Sequence, residues 1–120
     1  MKPIISKTDF NTLHELIVKQ PNGSGKNLGE GITKAHIVEE KEIDKQTVRL
    51  NSFVEVTEVS SKKSMKMQIV MPDFADIKQR RISVFAPISV ALLGFKESDM
   101  ISWVKPEGEA NFKIIKVINE

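Results

Sequence analysis

Residues 72–99 read PDFADIKQRRISVFAPISVALLGFKESD, and this stretch decides the fold. It predicts a loop, a short strand, a helical turn and then a polar turn into another strand. Pro87 suits the first turn of a helix, where its missing N–H would have no intrahelical partner. Ile88 and Leu92 follow at helical spacing and share one apolar face, and Gly94 stands where a left-handed C-terminal cap is expected. A short helix with one apolar face must lie on an apolar surface.

The segments around this helix have the period-two pattern of strands. The clearest alternation runs from Met65 to Met71, and it predicts that the methionines at 65, 67 and 71 face the core. The β-branched run at 53–59 precedes it across a polar turn. Further strands are expected at residues 82–84, 100–104 and 112–118. Hairpin-connected strands with one short helix on a face predict an α+β domain with an antiparallel sheet.

The first third of the chain has helical periodicity instead. A helix is expected over residues 6–20, capped by Ser6 or Thr8, and a second helix over residues 28–40 after a flexible turn. The two would form a short antiparallel helical hairpin. The charged connector that ends at Gln46 divides the chain into a hairpin at 1–46 and a sheet domain at 47–120.

Composition narrows the class of protein. The 120 residues suffice for one domain with a small appendage, and the absence of cysteine excludes disulfides and thiolate chemistry. No apolar run reaches the length of a membrane span and no signal peptide is evident, so a cytoplasmic location is expected. The net charge of +2 is too small to indicate a nucleic-acid partner, and direct binding to nucleic acid is expected to be weak or absent. A protein partner is favoured.

The sequence contains no convincing catalytic or metal-binding motif. His14 and His36 are its only histidines, and they fall on separate predicted elements without metal-ligand spacing. No serine lies in a nucleophile elbow, and the glycine-rich turn at 22–26 lacks the Walker A pattern. We therefore expect no metal, no cofactor and no enzyme activity.

Charged side chains in the 72–81 loop are the better candidates for function. Asp73 and Asp76 could stabilise turns, bind Mg²⁺ or accept from an arginine of a partner. Lys78 and the arginines that follow it would be a solvated face or part of a protein contact, because complementary charge sets register between proteins. Trp103 could anchor a partner, although packing against the core is the simpler interpretation.

Several sequence blocks resemble the C-terminal domain of the Gre transcript-cleavage factors. The matching blocks are PDFADIK at 72–78, ISV at 82–84, PIS at 87–89, ALLG at 91–94, Asp99, PEG at 106–108 and FKI at 112–114. The short hairpin ahead of this domain, with VRLNS at 48–52, is more similar to the regulator of nucleoside diphosphate kinase, which belongs to the same superfamily. The family's usual Gly-Asp is replaced here by Ser98-Asp99.

The resemblance implies an FKBP-like fold for the sheet domain and docking of a monomer on the rim of the RNA polymerase secondary channel. It implies contacts from the loop and from the segment that leads into the short helix. The positions that match the family motif are Asp73, Asp76, Lys78, Ser83, Phe85 and Pro87.

The hairpin departs from the long acidic-tipped coiled coil of the cleavage factors, because each arm has about a dozen residues, or roughly 18 Å at 1.5 Å per residue. The turn at 21–27 also lacks aspartate and glutamate. A noncatalytic elongation regulator that competes with cleavage factors is therefore predicted. Stimulation of transcript cleavage, peptidyl-prolyl isomerisation and an adaptor role toward another partner stay open as alternatives.

Overall fold

The computed structural model of the chain describes residues 2–19, 24–105 and 108–119. The described residues form three helices and seven strands, with short 3₁₀ turns between some of them. In chain order they are β1 (Ile4–Ser6), α1 (Lys7–Lys19), α2 (Ser24–Thr33), β2 (His36–Val38), β3 (Phe53–Glu58), β4 (Ser64–Val70), β5 (Arg81–Ser83), α3 (Pro87–Leu92), β6 (Met100–Lys105) and β7 (Gly108–Ile118).

The main sheet has five strands in the order β5-β4-β3-β7-β6. β3 pairs antiparallel with β4 and β7, and β7 pairs antiparallel with β6. β5, however, runs parallel to β4, so the prediction of an antiparallel sheet is wrong at this edge. The loop at 71–80 does not turn as a hairpin. It returns the chain to the level of Gln68, which pairs with Arg81, so β5 runs in the same direction as β4. The α+β class is confirmed.

The stretch that begins at Pro87 folds as its pattern predicts. α3 buries Ile88 and Leu92, which are 7% and 0% exposed, and contacts β6. Gly94 has φ +87°, the left-handed conformation that glycine adopts without a Cβ penalty. This helix closes the core over the buried face of the sheet.

The alternation in β4 predicts its buried face only in part. Met67 and Ile69 are buried, but Met65 is 40% exposed because it lies near the β3–β4 turn, at the margin of the core. Met71 is half-buried beyond the end of the strand. Trp103 is half-buried and packs on Phe112 with ring centroids 5.6 Å apart, as the core interpretation predicts.

The N-terminal third differs more from prediction. Ser6 caps α1 as expected, because its Oγ accepts from the Asp9 N–H at 3.1 Å. The second helix runs from Ser24 to Thr33, so the prediction of a helix over 28–40 is wrong at both ends. His36–Val38 form β2, which pairs in parallel with β1, and neither strand was predicted. Residue 20, at the end of the first predicted helix, and residues 21–23 of the predicted turn lie outside the described residues.

The two helices pack on each other and on the sheet domain. Leu13 of α1 and Leu28 of α2 are fully buried in the same core cluster as the sheet residues. The Ile4 N–H donates to the Gly94 carbonyl at 2.9 Å, which attaches β1 to the end of α3. The division into domains at 46/47 stays a prediction. None of the described helices has both the length and the apolar character needed to cross a bilayer.

Candidate partner-binding surface

The loop between β4 and β5 is built from two consecutive 3₁₀ turns. Pro72 begins the first turn, and Asp76 caps the second by accepting from the Lys78 N–H at 3.1 Å. The second turn ends at Arg80, whose φ of +61° is left-handed. The Asp76 N–H then donates to the Arg81 carbonyl at 2.9 Å, and the Arg81 N–H returns a bond of 3.0 Å. The loop therefore has a defined shape fixed by its own backbone.

Two large apolar side chains point outward from this loop. Phe74 is 67% exposed and Ile77 is 82% exposed, the two largest values among the exposed large apolar side chains of the described residues. Single exposed apolar residues are ordinary, but two in one short, rigid loop form a patch suited to a protein partner. The loop residues Pro72–Arg81 with these two side chains are called the docking loop below.

Charge surrounds the apolar pair. Asp73, Lys78 and Arg80 are exposed, and Asp76 is half-buried. Within the described part of the chain, no ion pair occupies any of these groups, since both recorded pairs involve Arg49. The docking loop thus offers both signs of charge to a partner.

The other predicted contacts lie at the far end of β5. The Ser83 Oγ accepts from the Phe85 N–H at 3.1 Å, which shapes the turn into α3. Phe85 is half-buried against the core, whereas Pro87 is exposed at the first helical position. β5 has three residues, so it separates the two groups by about 10 Å of extended chain at ~3.3 Å per residue.

The structure therefore divides the six predicted positions into two neighbouring groups. Asp73, Asp76 and Lys78 lie together in the docking loop, and Ser83, Phe85 and Pro87 lie between the end of β5 and the first residue of α3. The sequence analysis did not identify Phe74 and Ile77 as contact candidates. The available signal was that both are apolar residues placed by neither a helical nor a strand period.

No metal centre is formed by the residues that the structure describes, because no three histidine, aspartate or glutamate side chains converge. His14 stacks on Phe10 along α1 with ring centroids 6.0 Å apart, while His36 begins β2. The expectation of no metal or cofactor stays a prediction.

A network around Arg49 holds the N-terminal helices against the sheet domain. The guanidinium donates to Asp9 Oδ2 at 3.1 Å and to Ser6 Oγ at 3.2 Å, and it pairs with Glu40 Oε2 at 2.5 Å. The Arg49 N–H donates to Ser52 Oγ at 2.7 Å. One side chain therefore links the start of α1, the turn after β2 and the entry to β3.

The pKa shifts agree with this geometry. Burial alone would lower the pKa of Arg49, but hydrogen bonds and charge from Asp9 and Glu40 outweigh it and raise the pKa above its ordinary value. Slight burial would raise the pKa of Glu40, yet hydrogen bonds from Arg49 and Ser6 with the Arg49 charge lower it. Both groups are held in their charged forms.

A second polar junction continues from Ser52 toward the end of β7. The Ser52 hydroxyl donates to Asn119 Oδ1. The Asn119 amide donates in turn to the carbonyls of Lys45 and Thr47, each at 2.8 Å. Residues near the two ends of the sheet domain are thereby joined.

Comparison with known proteins identifies the family. The family model described as transcription elongation factor, GreA/GreB, C-terminal, matches residues 36–119. The chain therefore belongs to the GreA/GreB family.

Curated relatives agree with the match. Transcription elongation factor GreA of Acidiphilium cryptum is 34% identical over 90 residues, covering 75% of this chain and 57% of that protein. GreA of Alkalilimnicola ehrlichii is 33% identical over 87 residues, covering 72% and 55%. The chain thus spans little more than half the length of these relatives.

Among solved structures, a prokaryotic transcription elongation factor GreA/GreB from Nitrosomonas europaea is similar along the whole chain. It has a TM-score of 0.78 and 30% identity, and the match covers 99% of each chain. Thermus aquaticus Gfh1 has a TM-score of 0.58 at 17% identity, which shows a shared fold alone.

Proposed function

We propose that this protein is a noncatalytic regulator of transcription elongation that binds RNA polymerase at the rim of the secondary channel. Membership of the GreA/GreB family supports a role in transcription elongation. The docking loop supports a protein partner, because it combines a rigid backbone, two exposed apolar side chains and unpaired charges of both signs. The turn that carries Ser83, Phe85 and Pro87 would extend the contact along β5.

The exposed pair in the docking loop is the observation that carries this proposal. Phe74 at 67% and Ile77 at 82% exposure would lose most of their solvent contact in an interface. Burial of one such side chain contributes about 1.5–3 kcal/mol. The internal hydrogen bonds of the loop mean that little conformational entropy is lost on binding, so more of this energy is available for affinity.

The N-terminal helices suggest how such a factor would act. α1 and α2 have 13 and 10 residues, or roughly 20 Å and 15 Å at 1.5 Å per residue. Once docked, a unit of this size would partly occupy the channel entrance and exclude a longer factor that uses the same site. Competition with cleavage factors is part of the proposal.

Binding to purified core RNA polymerase tests the function directly. Wild type is expected to bind, and Ile77→Asp is expected to weaken binding at least tenfold, as a central apolar contact of about 2 kcal/mol would. Val59→Asp is the matched control, because Val59 is 46% exposed just after β3, at the opposite end of β4 from the docking loop. Absence of wild-type binding at micromolar concentration would refute the proposal.

The charge of Asp76 needs its own pair of variants because its side chain also caps a turn. Asp76→Asn keeps an oxygen that can accept from the Lys78 N–H, whereas Asp76→Arg reverses the charge and removes the acceptor. A loss of affinity in both variants would assign the effect to charge at the interface. A loss in Asp76→Arg alone would assign it to loop geometry.

The FKBP-like classification of the sheet with α3 is also a proposal. Isomerase activity requires an aromatic-lined pocket, and two grooves in the described part of the chain have one aromatic lining residue each, Phe53 and Phe95. In a proline-peptide isomerisation assay, the protein is expected to show only the background rate.

Cleavage of RNA in backtracked complexes is expected to stay at the rate of polymerase alone.

A further inference from the structure

The two edge strands of the main sheet differ in length and in how their outer sides are paired. β5 forms one edge, has three residues and is flanked by the backbone pair between Asp76 and Arg81. β6 forms the other edge, has six residues and pairs only with β7 among the described strands. A long strand with one unpaired side offers a row of N–H and C=O groups to another chain. The open edge is therefore that of β6.

A groove lies along this open edge. Its volume is about 790 Å³, and its walls come from β6, α3, the end of α2 and the residues before β1. Val90, Phe95 and Ile101 give it an apolar lining, and Met100 at its margin is 52% exposed. Such a groove can accept apolar side chains from an added strand, which alternate in direction along their own backbone.

The charge of the groove has one sign. Lys2 and Lys34 line it and are exposed, and no aspartate or glutamate occurs among its described lining residues. A second copy of this chain paired through β6 would bring the same cations toward each other, which disfavours self-association. An incoming strand with carboxylates would instead be attracted.

We propose that β6 and this groove bind an extended acidic segment of a partner protein, which adds to the sheet as a sixth strand. Backbone hydrogen bonds to the open edge would provide affinity. Apolar side chains of the segment would contact Val90, Phe95 and Met100, and its carboxylates would lie near Lys2 and Lys34. This site is separate from the docking loop and does not depend on the proposed polymerase contact.

A labelled peptide tests the inference on the full chain. The probe is an eight-residue peptide in which valine and glutamate alternate, and its binding is followed by fluorescence anisotropy. Saturable binding is expected, with slower amide exchange across Met100–Trp103 in the complex. A peptide with lysine in place of glutamate, and one with two central prolines that lack N–H donors, are expected not to bind.

Charge-reversal variants test whether the acidic peptide binds in the groove along β6. Lys2→Glu with Lys34→Glu is expected to weaken the acidic peptide about tenfold or more, since two favourable pairs become two repulsive ones. Lys41→Glu with Lys63→Glu changes the net charge equally at exposed positions outside the groove and is expected to leave affinity within about twofold.

The outcomes separate cleanly. The inference is overturned if the acidic peptide does not bind, if the proline peptide binds equally well, or if both double variants lose affinity to the same extent. Each of those results is independent of whether the protein binds polymerase. Retained binding in the control variant, with slower exchange confined to β6, would establish the site.

Discussion

Replacement of Arg49 by methionine should lower the free energy of unfolding, because it removes the polar contacts that hold the N-terminal helices against the sheet domain. Methionine keeps most of the length of the side chain but removes the charge and every donor. The Arg49 side chain is 21% exposed and that of Asp9 is 14% exposed, so their contact is partly shielded from solvent. A hydrogen bond between charged groups in such a place contributes about 1.5–3 kcal/mol.

The second ion pair adds less. Glu40 is 49% exposed, and solvent-exposed pairs contribute about 0.2–1 kcal/mol. We therefore expect Arg49→Met to lower the free energy of unfolding by about 2–3 kcal/mol, most of it from Asp9. For a domain with about 5–15 kcal/mol of total stability this is a large fraction.

Urea unfolding of a double-mutant cycle measures the contribution. Asp9→Asn is isosteric, and its coupling energy with Arg49→Met is expected to be about 1–2 kcal/mol. The parallel cycle with Glu40→Gln should give less than about 0.5 kcal/mol because that carboxylate is well solvated. Equal coupling in the two cycles, or none with Asp9, would refute the reasoning.

The same cycle has a pH dependence. Because the folded-state pKa of Glu40 is lowered, its contribution is present above the unfolded pKa and is lost as pH falls through the folded value. The stability difference between wild type and Arg49→Met should therefore shrink in acid below the ordinary glutamate range. The raised pKa of Arg49 contributes stability that is fully present below the unfolded pKa and is lost only at strongly alkaline pH, where arginine deprotonates.

Three further pairs of variants test the packing, each by chemical denaturation. Ser89 is fully buried, and within the described residues its Oγ has no hydrogen-bond partner. Ser89→Ala should therefore be neutral or stabilising by about 1 kcal/mol, whereas Ser52→Ala, which removes a hydrogen-bond acceptor, should lose about 1–2 kcal/mol of stability. Destabilisation by Ser89→Ala would contradict this expectation. At Gly94 an added Cβ would lie 2.8 Å from the Ile4 backbone nitrogen, but at Gly108 it meets no described residue within 4 Å. Both glycines have positive φ, so Gly94→Ala should cost about 2 kcal/mol more than Gly108→Ala, and equal losses would contradict the steric explanation. In α2, a Cβ at Gly31 would meet Val90 Cγ1 at 2.9 Å, whereas a Cβ at Gly29 would make ordinary contact with Ile17. Gly29→Ala should therefore raise the free energy of unfolding by up to about 1 kcal/mol, and Gly31→Ala should lower it by about 1–3 kcal/mol. A gain in both variants would show that α2 can move away from α3.

Local signals located two elements of the sheet domain. The proline start, the apolar spacing and Gly94 located α3, whose packing agrees with the pattern, which is the condition under which a local pattern is reliable. The alternation from Met65 to Met71 located β4 but matches its buried face only in part, because Met65 is exposed and Val70 is buried.

The errors arose where pairing partners are distant in sequence. Residues 34–38 have helix-compatible spacing, but β2 is held by β1 more than thirty positions earlier, and no local pattern records that pairing. The parallel pairing of β5 with β4 is likewise a property of the crossover path.

Site prediction failed in a different way. The charge of Asp76 marks it as a contact candidate in the sequence, but only the structure shows that it caps a turn. Sequence patterns predict that apolar residues such as Phe74 and Ile77 are buried, and this rule fails where a surface binds a partner. The Arg49 network could not be predicted from the sequence, because its partners are distant along the chain. Arg49 and Asp9, for example, lie about forty residues apart.

The strand order has a consequence for synthesis. β7 lies between β3 and β6, yet it is the last of the five strands to leave the ribosome. Until it emerges, β3 can pair only with β4, and β6 has no neighbour in the nascent chain. The sheet can therefore be completed only after residues 108–118 have emerged, with unpaired β-strands exposed in the interval. Slow translation near residues 108–118 would lengthen that interval and increase aggregation of the newly made chain.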